Sequence, residues 1–205
     1  MNREKLMRCA YCDQDAVCKC SSCKRLLCSK HLRIGTVCPE CTRKTRLTCA
    51  IKSAVPDDRE TIRKFARQFW GEEEQLAFGQ FFRVADLPSY VAKRKNEVLG
   101  FISTTDVDDS TIIVALAILP KYQDSGIGTA LINVVERETK RKKRKRLLVS
   151  TSNDDLPALA FYQSQGFQIY EVKPGVIAEK HGKILEGIGG LPIRDELRLR
   201  KTFDP

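Results

Sequence analysis

The apolar positions after residue 50 repeat with two different periods. Residues 57–71 begin with acidic side chains, continue with apolar residues at the spacing of one helix face, and end in glycine. The apolar residues of that face are Ile62, Phe65, Ala66 and Phe69. This pattern predicts an amphipathic helix that ends at Gly71.

Further along the chain, β-branched runs alternate with helical ones. Strand-like runs are found at 89–95, 98–106 and 111–119. They are followed by a helix from Gly126 to about Arg141, a strand at 146–152, a helix at 156–165 and a strand at 167–172. An order of three strands, helix, strand, helix and strand predicts a mixed α/β fold around one sheet.

The first 50 residues follow different rules, because all nine cysteines of the chain lie between Cys9 and Cys49. Eight residues form four C-x-x-C or C-x-x-H pairs, which are Cys9/Cys12, Cys20/Cys23, Cys28/His31 and Cys38/Cys41. Two such pairs complete one tetrahedral zinc site. We therefore predict a small zinc-binding domain at residues 1–45 and a separate domain at 50–205.

The gaps between the pairs favour an interleaved arrangement over a sequential one. The pattern resembles the small two-zinc cross-brace fingers of the HIT and B-box types over residues 9–41. The expected structural Zn²⁺ sites are Cys9, Cys12, Cys28 and His31 for one ion, and Cys20, Cys23, Cys38 and Cys41 for the other. Cys18 is the alternative to Cys20, and Cys49 is expected to be a buried thiol at the domain junction.

The net charge of +10 comes from two short regions. They are the cysteine-rich module and the run from Lys140 to Arg146, which closes the second helix. This local distribution argues against a broad nucleic-acid-binding face. A solvated helix cap is the preferred interpretation of the run, and contact of the finger and the run with an acidic protein or RNA is the next. The absence of a long apolar segment predicts a cytoplasmic protein without a membrane contact.

The most informative stretch connects the strand at 111–119 to the helix that follows it. Its Q-x-x-G-x-G sequence runs from Gln123 to Gly128, and two glycines let consecutive N–H groups face one point at a helix N-terminus. Such a loop is suited to a pyrophosphate. Together with F-Y-x-x-x-G-F at 161–167, it resembles the GCN5-related N-acetyltransferase (GNAT) family over residues 50–205.

The resemblance implies a GNAT-like acyl-CoA N-acyltransferase fold and a donor site for acetyl-CoA as cosubstrate. The backbone of Leu116, Ala117 and Ile118 would hold the pantetheine arm, where this strand parts from the strand at 146–152. The pyrophosphate loop would comprise Gln123, Asp124, Ser125, Gly126, Ile127, Gly128 and Thr129. Asn153 and Asp155 lie near the position of a coenzyme-contacting Asn in the family.

Tyr162 occupies the family's general-acid position, and its alternative interpretation is a buried aromatic beside Phe161 and Phe167. No general base is assigned. The carboxylates at 72–74, 106, 108, 109, 195 and 196 are more simply read as solvated surface groups.

These observations predict an N-acetyltransferase that acts on an amine of a protein or small molecule, with the finger recruiting the acceptor or a partner. One alternative is an adaptor whose GNAT domain binds acetyl-CoA with little catalysis. A second alternative is an acetyltransferase that acts on RNA, although neither half shows the interleaved aromatic residues of a single-strand platform.

Overall fold

The computed structural model describes residues 8–21, 23–31, 38–44 and 48–203. The chain forms two compact units, one of Met1–Leu47 with Asp124–Gly126 and the other of Thr48–Gln123 with Ile127–Pro205. The predicted end of the first domain, residue 45, lies outside the described residues. None of the helices in the described parts of the chain is both long and apolar enough to span a membrane.

The regular elements are numbered along the chain. The helices are α1 (Pro39–Lys44), α2 (Asp58–Trp70), α3 (Ile127–Arg141), α4 (Leu156–Ser164) and α5 (Val176–His181). The strands are β1 (Cys18–Lys19), β2 (Leu26–Leu27), β3 (Ala50–Ser53), β4 (Glu74–Ala77), β5 (Gln80–Arg83), β6 (Ser89–Arg94), β7 (Glu97–Val107), β8 (Ser110–Ile118), β9 (Arg146–Ser152), β10 (Gln168–Lys173), β11 (Leu185–Glu186), β12 (Pro192–Ile193) and β13 (Glu196–Thr202).

Seven strands form one sheet in the order β10-β13-β9-β8-β7-β6-β3. Only the β8/β9 pair is parallel, and every other neighbouring pair in this sheet is antiparallel. The predicted mixed α/β fold is therefore confirmed. Strand β13, which the sequence pattern did not predict, inserts between β9 and β10 although it comes last in the chain.

Helix α2 buries its predicted apolar face against one side of the sheet. Ile62 and Phe65 pack with Phe101 of β7, whose ring meets that of Phe65 edge-on at 5.7 Å between centroids. Full burial of side chains of this size contributes about 1.5 to 3 kcal/mol each. The helix ends at Gly71, as predicted, because the backbone there turns left-handed at a φ of 74°.

Helix α3 packs on the opposite side of the sheet. Ala117 of β8 belongs to the core beneath α2, and its neighbour Ile118 faces Gly128 of α3. Successive side chains of a strand point to opposite faces, so α2 and α3 cover different faces. Both helices are thereby fixed to the same strand, β8.

The β4–β5 hairpin is a second element that the sequence analysis missed. Its tip, Phe78-Gly79, has left-handed backbone at both residues, with φ of 53° and 77°. The Phe78 N–H donates to Glu196 Oε1 at 2.9 Å, and the guanidinium of Arg198 lies 5.0 Å from the centre of the Phe78 ring. These contacts anchor the hairpin tip to β13.

The basic run after α3 binds the turn between β7 and β8. Lys142 Nζ lies 2.9 Å from Asp106 Oδ2, Arg144 Nε lies 3.2 Å from Asp106 Oδ1, and Arg146 Nη2 lies 2.6 Å from Asp109 Oδ1. The run is therefore more than the solvated cap that the sequence analysis preferred. It forms an ion-pair clamp between the end of α3 and a turn more than 30 residues earlier.

We predict that Asp106→Asn weakens this clamp by about 1 kcal/mol at pH 7, because both cations lose their charged partner while the contact with Thr111 can persist. Asp108→Asn is the matched control, since Asp108 is exposed and Asn tolerates its left-handed backbone. Urea unfolding measures both changes. Equal losses in the two variants would contradict the clamp.

The stability difference between wild type and Asp106→Asn is expected to depend on pH. Although burial opposes ionisation of Asp106, hydrogen bonds from Lys142 and Thr111 hold the pKa of its carboxyl below the ordinary value. Its contribution to stability is therefore complete above the unfolded-state pKa of about 4, and is lost as the pH falls through the lower folded-state value. The stability difference between wild type and Asp106→Asn should shrink in that window.

Candidate functional site

Strands β8 and β9 run together for four residues and then separate. Their parallel pairing extends from Ser110 opposite Arg146 to Ile113 opposite Val149. Beyond that point β8 stays paired with β7, and the β7/β8 register shifts around Val114, which leaves Val114 as a β-bulge. A bulge bends its strand and strengthens the local twist, so β8 turns away from β9 at this position.

The separation leaves one edge of β8 open over its last residues. Leu116, Ala117 and Ile118 pair with Ile102, Phe101 and Gly100 of β7 on the other edge only. In the described part of the chain, no strand pairs with them on the β9 side. Backbone N–H and C=O groups on such an edge can bind an extended ligand that carries amides.

The glycine-rich loop follows directly on this edge. Gln123 Nε2 donates to the Ile118 carbonyl at 3.2 Å, which ties the loop to the strand end. Asp124 and Gly126 have left-handed backbone with φ of 58° and 85°, and α3 begins at Ile127. The curled backbone precedes a helix N-terminus, which carries a partial positive charge and free N–H groups.

Three elements meet closely where the loop becomes a helix. A Cβ atom on Gly128 would lie 3.0 Å from Cζ of Phe161 on α4 and 3.2 Å from Cδ1 of Ile118 on β8. Gly100 similarly admits the end of β8, since a Cβ there would lie 2.7 Å from the Ala117 carbonyl oxygen. Gly128 therefore lets β8, α3 and α4 converge on one corner of the site, and Gly100 lets β7 and β8 approach closely there.

Tyr162 is buried on α4, one residue after Phe161. Its ring makes edge contacts with Phe161 and Phe167 at centroid distances of 5.4 and 5.6 Å. Burial raises the pKa of the phenol above its ordinary value, and the Asp155 carboxylate raises it further. Among the residues that the structure describes, none hydrogen-bonds to this hydroxyl. Tyr162 is therefore a protonated donor at neutral pH within an apolar cluster.

Asn153 and Asp155 have other partners than the coenzyme contacts that the sequence analysis expected. Asn153 Oδ1 accepts from the N–H groups of Arg194 and Asp195 at 3.0 and 2.9 Å, and its Nδ2 donates to the Pro192 carbonyl at 2.7 Å. Asp155 caps α4 by accepting from the Ala158 N–H at 3.0 Å. In this structure both side chains bind the protein itself, and their contacts with the coenzyme stay predictions.

The carboxylates considered as bases mostly carry cationic partners. The pairs are Glu72–Lys180, Glu73–Arg67, Glu74–Arg83, Asp106–Lys142, Asp109–Arg146, Asp195–Arg194 and Glu196–Arg198. The hydrogen bond from Arg146 lowers the pKa of Asp109, and the hydrogen bond from Arg194 lowers that of Asp195. A carboxylate stabilised as an anion is a weak base, so Asp106, Asp109 and Asp195 are poor candidates for a proton acceptor.

In the smaller unit, two clusters gather the eight predicted ligands in the interleaved grouping. They are Cys9, Cys12, Cys28 and His31, and Cys20, Cys23, Cys38 and Cys41; within each cluster the ligand atoms lie within 4.8 Å of one another. Cys12 and Cys28 are 3.6 Å apart at sulfur, and Cys23 and Cys38 are 3.7 Å apart. These distances fit the edge of a tetrahedron around Zn²⁺ and are too long for a disulfide.

The two cysteines outside the clusters are Cys18 and Cys49. Cys18 lies in β1, two residues before Cys20, and belongs to neither cluster. Cys49 is half-buried, and burial raises its pKa. A thiol with a raised pKa is less ionised at neutral pH, so Cys49 is a packed thiol rather than a reactive one.

Tyr11 contacts both clusters. Its ring centroid lies 5.5 Å from that of His31 in the first cluster. Its hydroxyl accepts from Arg25 Nη1 at 3.0 Å and hydrogen-bonds the Cys38 sulfur in the second cluster. One side chain from the first C-x-x-C pair therefore orients a ligand in each group of four.

Comparison with known proteins adds the following findings. The sequence profile of the "Acetyltransferase (GNAT) family" matches residues 57–167. Uncharacterized protein YdhI of Bacillus subtilis (strain 168) is 31% identical over 153 residues, which are 71% of this chain and 93% of YdhI. Peptidyl-lysine N-acetyltransferase YiaC of Escherichia coli (strain K12) is 28% identical over 88 residues, which are 43% of this chain and 55% of YiaC.

Among solved structures, a GNAT family acetyltransferase from Elizabethkingia anophelis with acetyl-CoA bound has the same fold. The two chains superpose with a TM-score of 0.57 at 22% sequence identity, over 76% of this chain and 98% of the other. The likeness extends over most of the larger unit.

We predict that Gly100→Ala costs about 1 to 3 kcal/mol of unfolding free energy, because the added methyl meets backbone atoms of β8 that cannot move independently. Gly128→Ala is the comparison variant. Its methyl meets side-chain atoms, and Ala recovers up to about 1 kcal/mol of helix propensity. Chemical denaturation followed by circular dichroism measures both, and a smaller loss for Gly100→Ala than for Gly128→Ala would contradict the close approach.

Proposed function

Since the chain belongs to the GNAT family of acetyltransferases, we propose that it transfers the acetyl group of acetyl-CoA to an amine nitrogen. The observation that carries this proposal is the open edge of β8, followed at once by a curled loop and the N-terminus of α3. An extended arm with amides and a pyrophosphate at one end fits that sequence of features. The acetyl-CoA bound to the Elizabethkingia anophelis relative supports this choice of donor.

Each part of the donor has a matching part of the protein. The backbone of Leu116, Ala117 and Ile118 would bind the amides of the pantetheine arm. The N–H groups of the loop from Gln123 to Thr129 would bind the pyrophosphate, which is favoured by the positive end of the α3 dipole. The thioester would then lie in the opening between β8 and β9.

Transfer begins when a neutral amine attacks the thioester carbonyl carbon. Negative charge develops on the carbonyl oxygen, and a backbone N–H near Ile118 is placed to stabilise it. The C–S bond then breaks, and the leaving sulfur takes a proton from the Tyr162 phenol. Burial raises the pKa of the phenol, so Tyr162 holds its proton at neutral pH until the thiolate departs.

We propose that the acceptor is an amine of a protein or a small molecule. The similarity to YiaC, named as a peptidyl-lysine N-acetyltransferase, supports a lysine side chain as the first acceptor to test. In the basic run, Lys142 and Arg144 pair with Asp106, and Arg146 pairs with Asp109. Cations that are paired within the protein are less available to phosphates, which weakens the case for an RNA acceptor.

For the smaller unit we propose two structural zinc ions, with the unit recruiting the acceptor or a partner protein. The fit rests on the donor sets: seven thiol sulfurs and one imidazole, in two groups of four at tetrahedral spacing. Four protein ligands leave no position for a water at either ion, so the expected role is structural and not catalytic.

The proposed reaction is tested with acetyl-CoA and a panel made of a lysine peptide, spermidine and a peptide with a free N-terminal amine, by measuring thiol release and acetylated product. We expect turnover with at least one amine. Tyr162→Phe should lower kcat by about 10²-fold or more and leave the KM for acetyl-CoA nearly unchanged, because only the proton donor is removed.

Tyr170→Phe is the matched control, since Tyr170 lies on the exposed edge strand β10 and its ring can still stack on Arg200. Equal kcat in wild type and Tyr162→Phe would contradict the general-acid role. Tight acetyl-CoA binding without turnover on any amine would favour the adaptor interpretation instead.

The metal proposal predicts two zinc ions per chain by elemental analysis, corresponding to the two clusters. Cys20→Ser should reduce the content to about one, because the second cluster loses a thiolate ligand. Cys18→Ser, two residues away and outside both clusters, should keep both ions. Loss of zinc in Cys18→Ser with retention in Cys20→Ser would reverse the assignment.

A further inference from the structure

Asp154 is a buried carboxylate with an unsatisfied oxygen. The residue is 4% exposed, and its Oδ2 accepts one hydrogen bond, from the Ile188 N–H at 3.2 Å. Its Oδ1 is also buried, and no donor in the described part of the chain bonds to it. The described residues place no cation within ion-pair distance of this side chain.

The other two buried acids of the larger unit each have a cation and a backbone N–H as partners. Asp58 pairs with Lys93 at 2.6 Å and accepts from the Val55 N–H at 3.0 Å. Glu196 pairs with Arg198 at 2.9 Å and accepts from the Phe78 N–H. Burying a carboxylate without such partners is costly, because the lost hydration is not replaced. Asp154 therefore differs from the structural acids of this protein.

The position of Asp154 connects it with the opening between β8 and β9. It is the second residue after β9 ends at Ser152, and it precedes α4, which carries Tyr162. Ligands of α/β sheets bind at the carboxyl ends of parallel strands, where this residue lies. The orphan oxygen thus belongs to the end of the site at which the acetyl group would be delivered.

The β11–β12 hairpin covers this carboxylate. The backbone of Gly187 approaches so closely that a Cβ there would lie 2.1 Å from Asp154 Oδ2. The neighbouring Asn153 holds the same segment through the backbone of Pro192, Arg194 and Asp195. On this side the carboxylate is therefore bounded by glycine and backbone.

We propose that Asp154 binds the ammonium form of the acceptor and removes its proton before acetyl transfer, an inference that rests on the proposed function. The carboxylate takes one proton from R–NH₃⁺, and the nitrogen lone pair forms the N–C bond to the thioester carbonyl carbon. The C–S bond breaks, the sulfur receives the Tyr162 proton, and the nitrogen returns its second proton to the phenolate. Asp154 then releases its proton to solvent.

The decisive variant is Asp154→Asn, which keeps an oxygen for the Ile188 N–H and removes the charge. Removing an uncompensated buried charge should stabilise the free protein, so its thermal midpoint should rise by about 2 to 4 °C. At the same time kcat with the lysine peptide should fall by about 10²-fold or more, with the KM for acetyl-CoA changed less than about threefold. A purely structural aspartate would lower the midpoint instead.

Asp57→Asn is the matched control. Asp57 is exposed before α2 and its side chain makes no capping hydrogen bond, so the same change should leave midpoint and turnover close to wild type. A midpoint below wild type in Asp154→Asn, or a kcat within about threefold of wild type, would overturn the proposal. If the wild type itself acetylates no amine of the panel, the proposed function fails, and the thermal midpoint still decides whether the buried charge is uncompensated.

Discussion

The separation of β8 from β9 after Ile113 and Val149 is the constraint on which the larger unit depends. The bulge at Val114 bends β8 while its pairing with β7 continues, so one strand edge opens without breaking the sheet. The loop after β8 and the start of α3 take their positions from that open edge. The same strand joins both faces, because Ala117 packs beneath α2 and Ile118 against α3.

Where β8 and β9 separate, other contacts hold both ends of β9 in place. At the amino end, the cations after α3 bind the β7–β8 turn through Asp106 and Asp109. At the carboxyl end, Asn153 holds the segment before β13, and β13 completes the pairing of β9 from Arg146 to Ser152. Beyond Val149, β9 therefore stays in the sheet through its antiparallel pairing with β13 on the edge opposite β8.

The sequence predicted the features that depend on neighbouring residues. The apolar period of α2, the stop at Gly71 and the spacing of the cysteine pairs are all local, and the structure contains each of them. The sequence did not predict the features that depend on contacts between residues far apart in the chain. The bonds of Asn153 to Arg194 and Asp195 depend on a segment more than 40 residues later in the chain. The burial of Asp154, with no cation paired to it among the described residues, is likewise visible only in the structure.

In the smaller unit, apolar packing contributes little, and predicted metal ligands form most of the buried cluster. Its buried apolar cluster consists of Leu27 together with Cys20 and Cys38, so two of the three core residues are themselves predicted ligands. A module of this size cannot fold on such a core alone. Tyr11 ties the clusters together through His31 and Cys38, which makes the geometry of each dependent on the other. Zinc binding, as proposed above, would therefore be coupled to the folding of this unit.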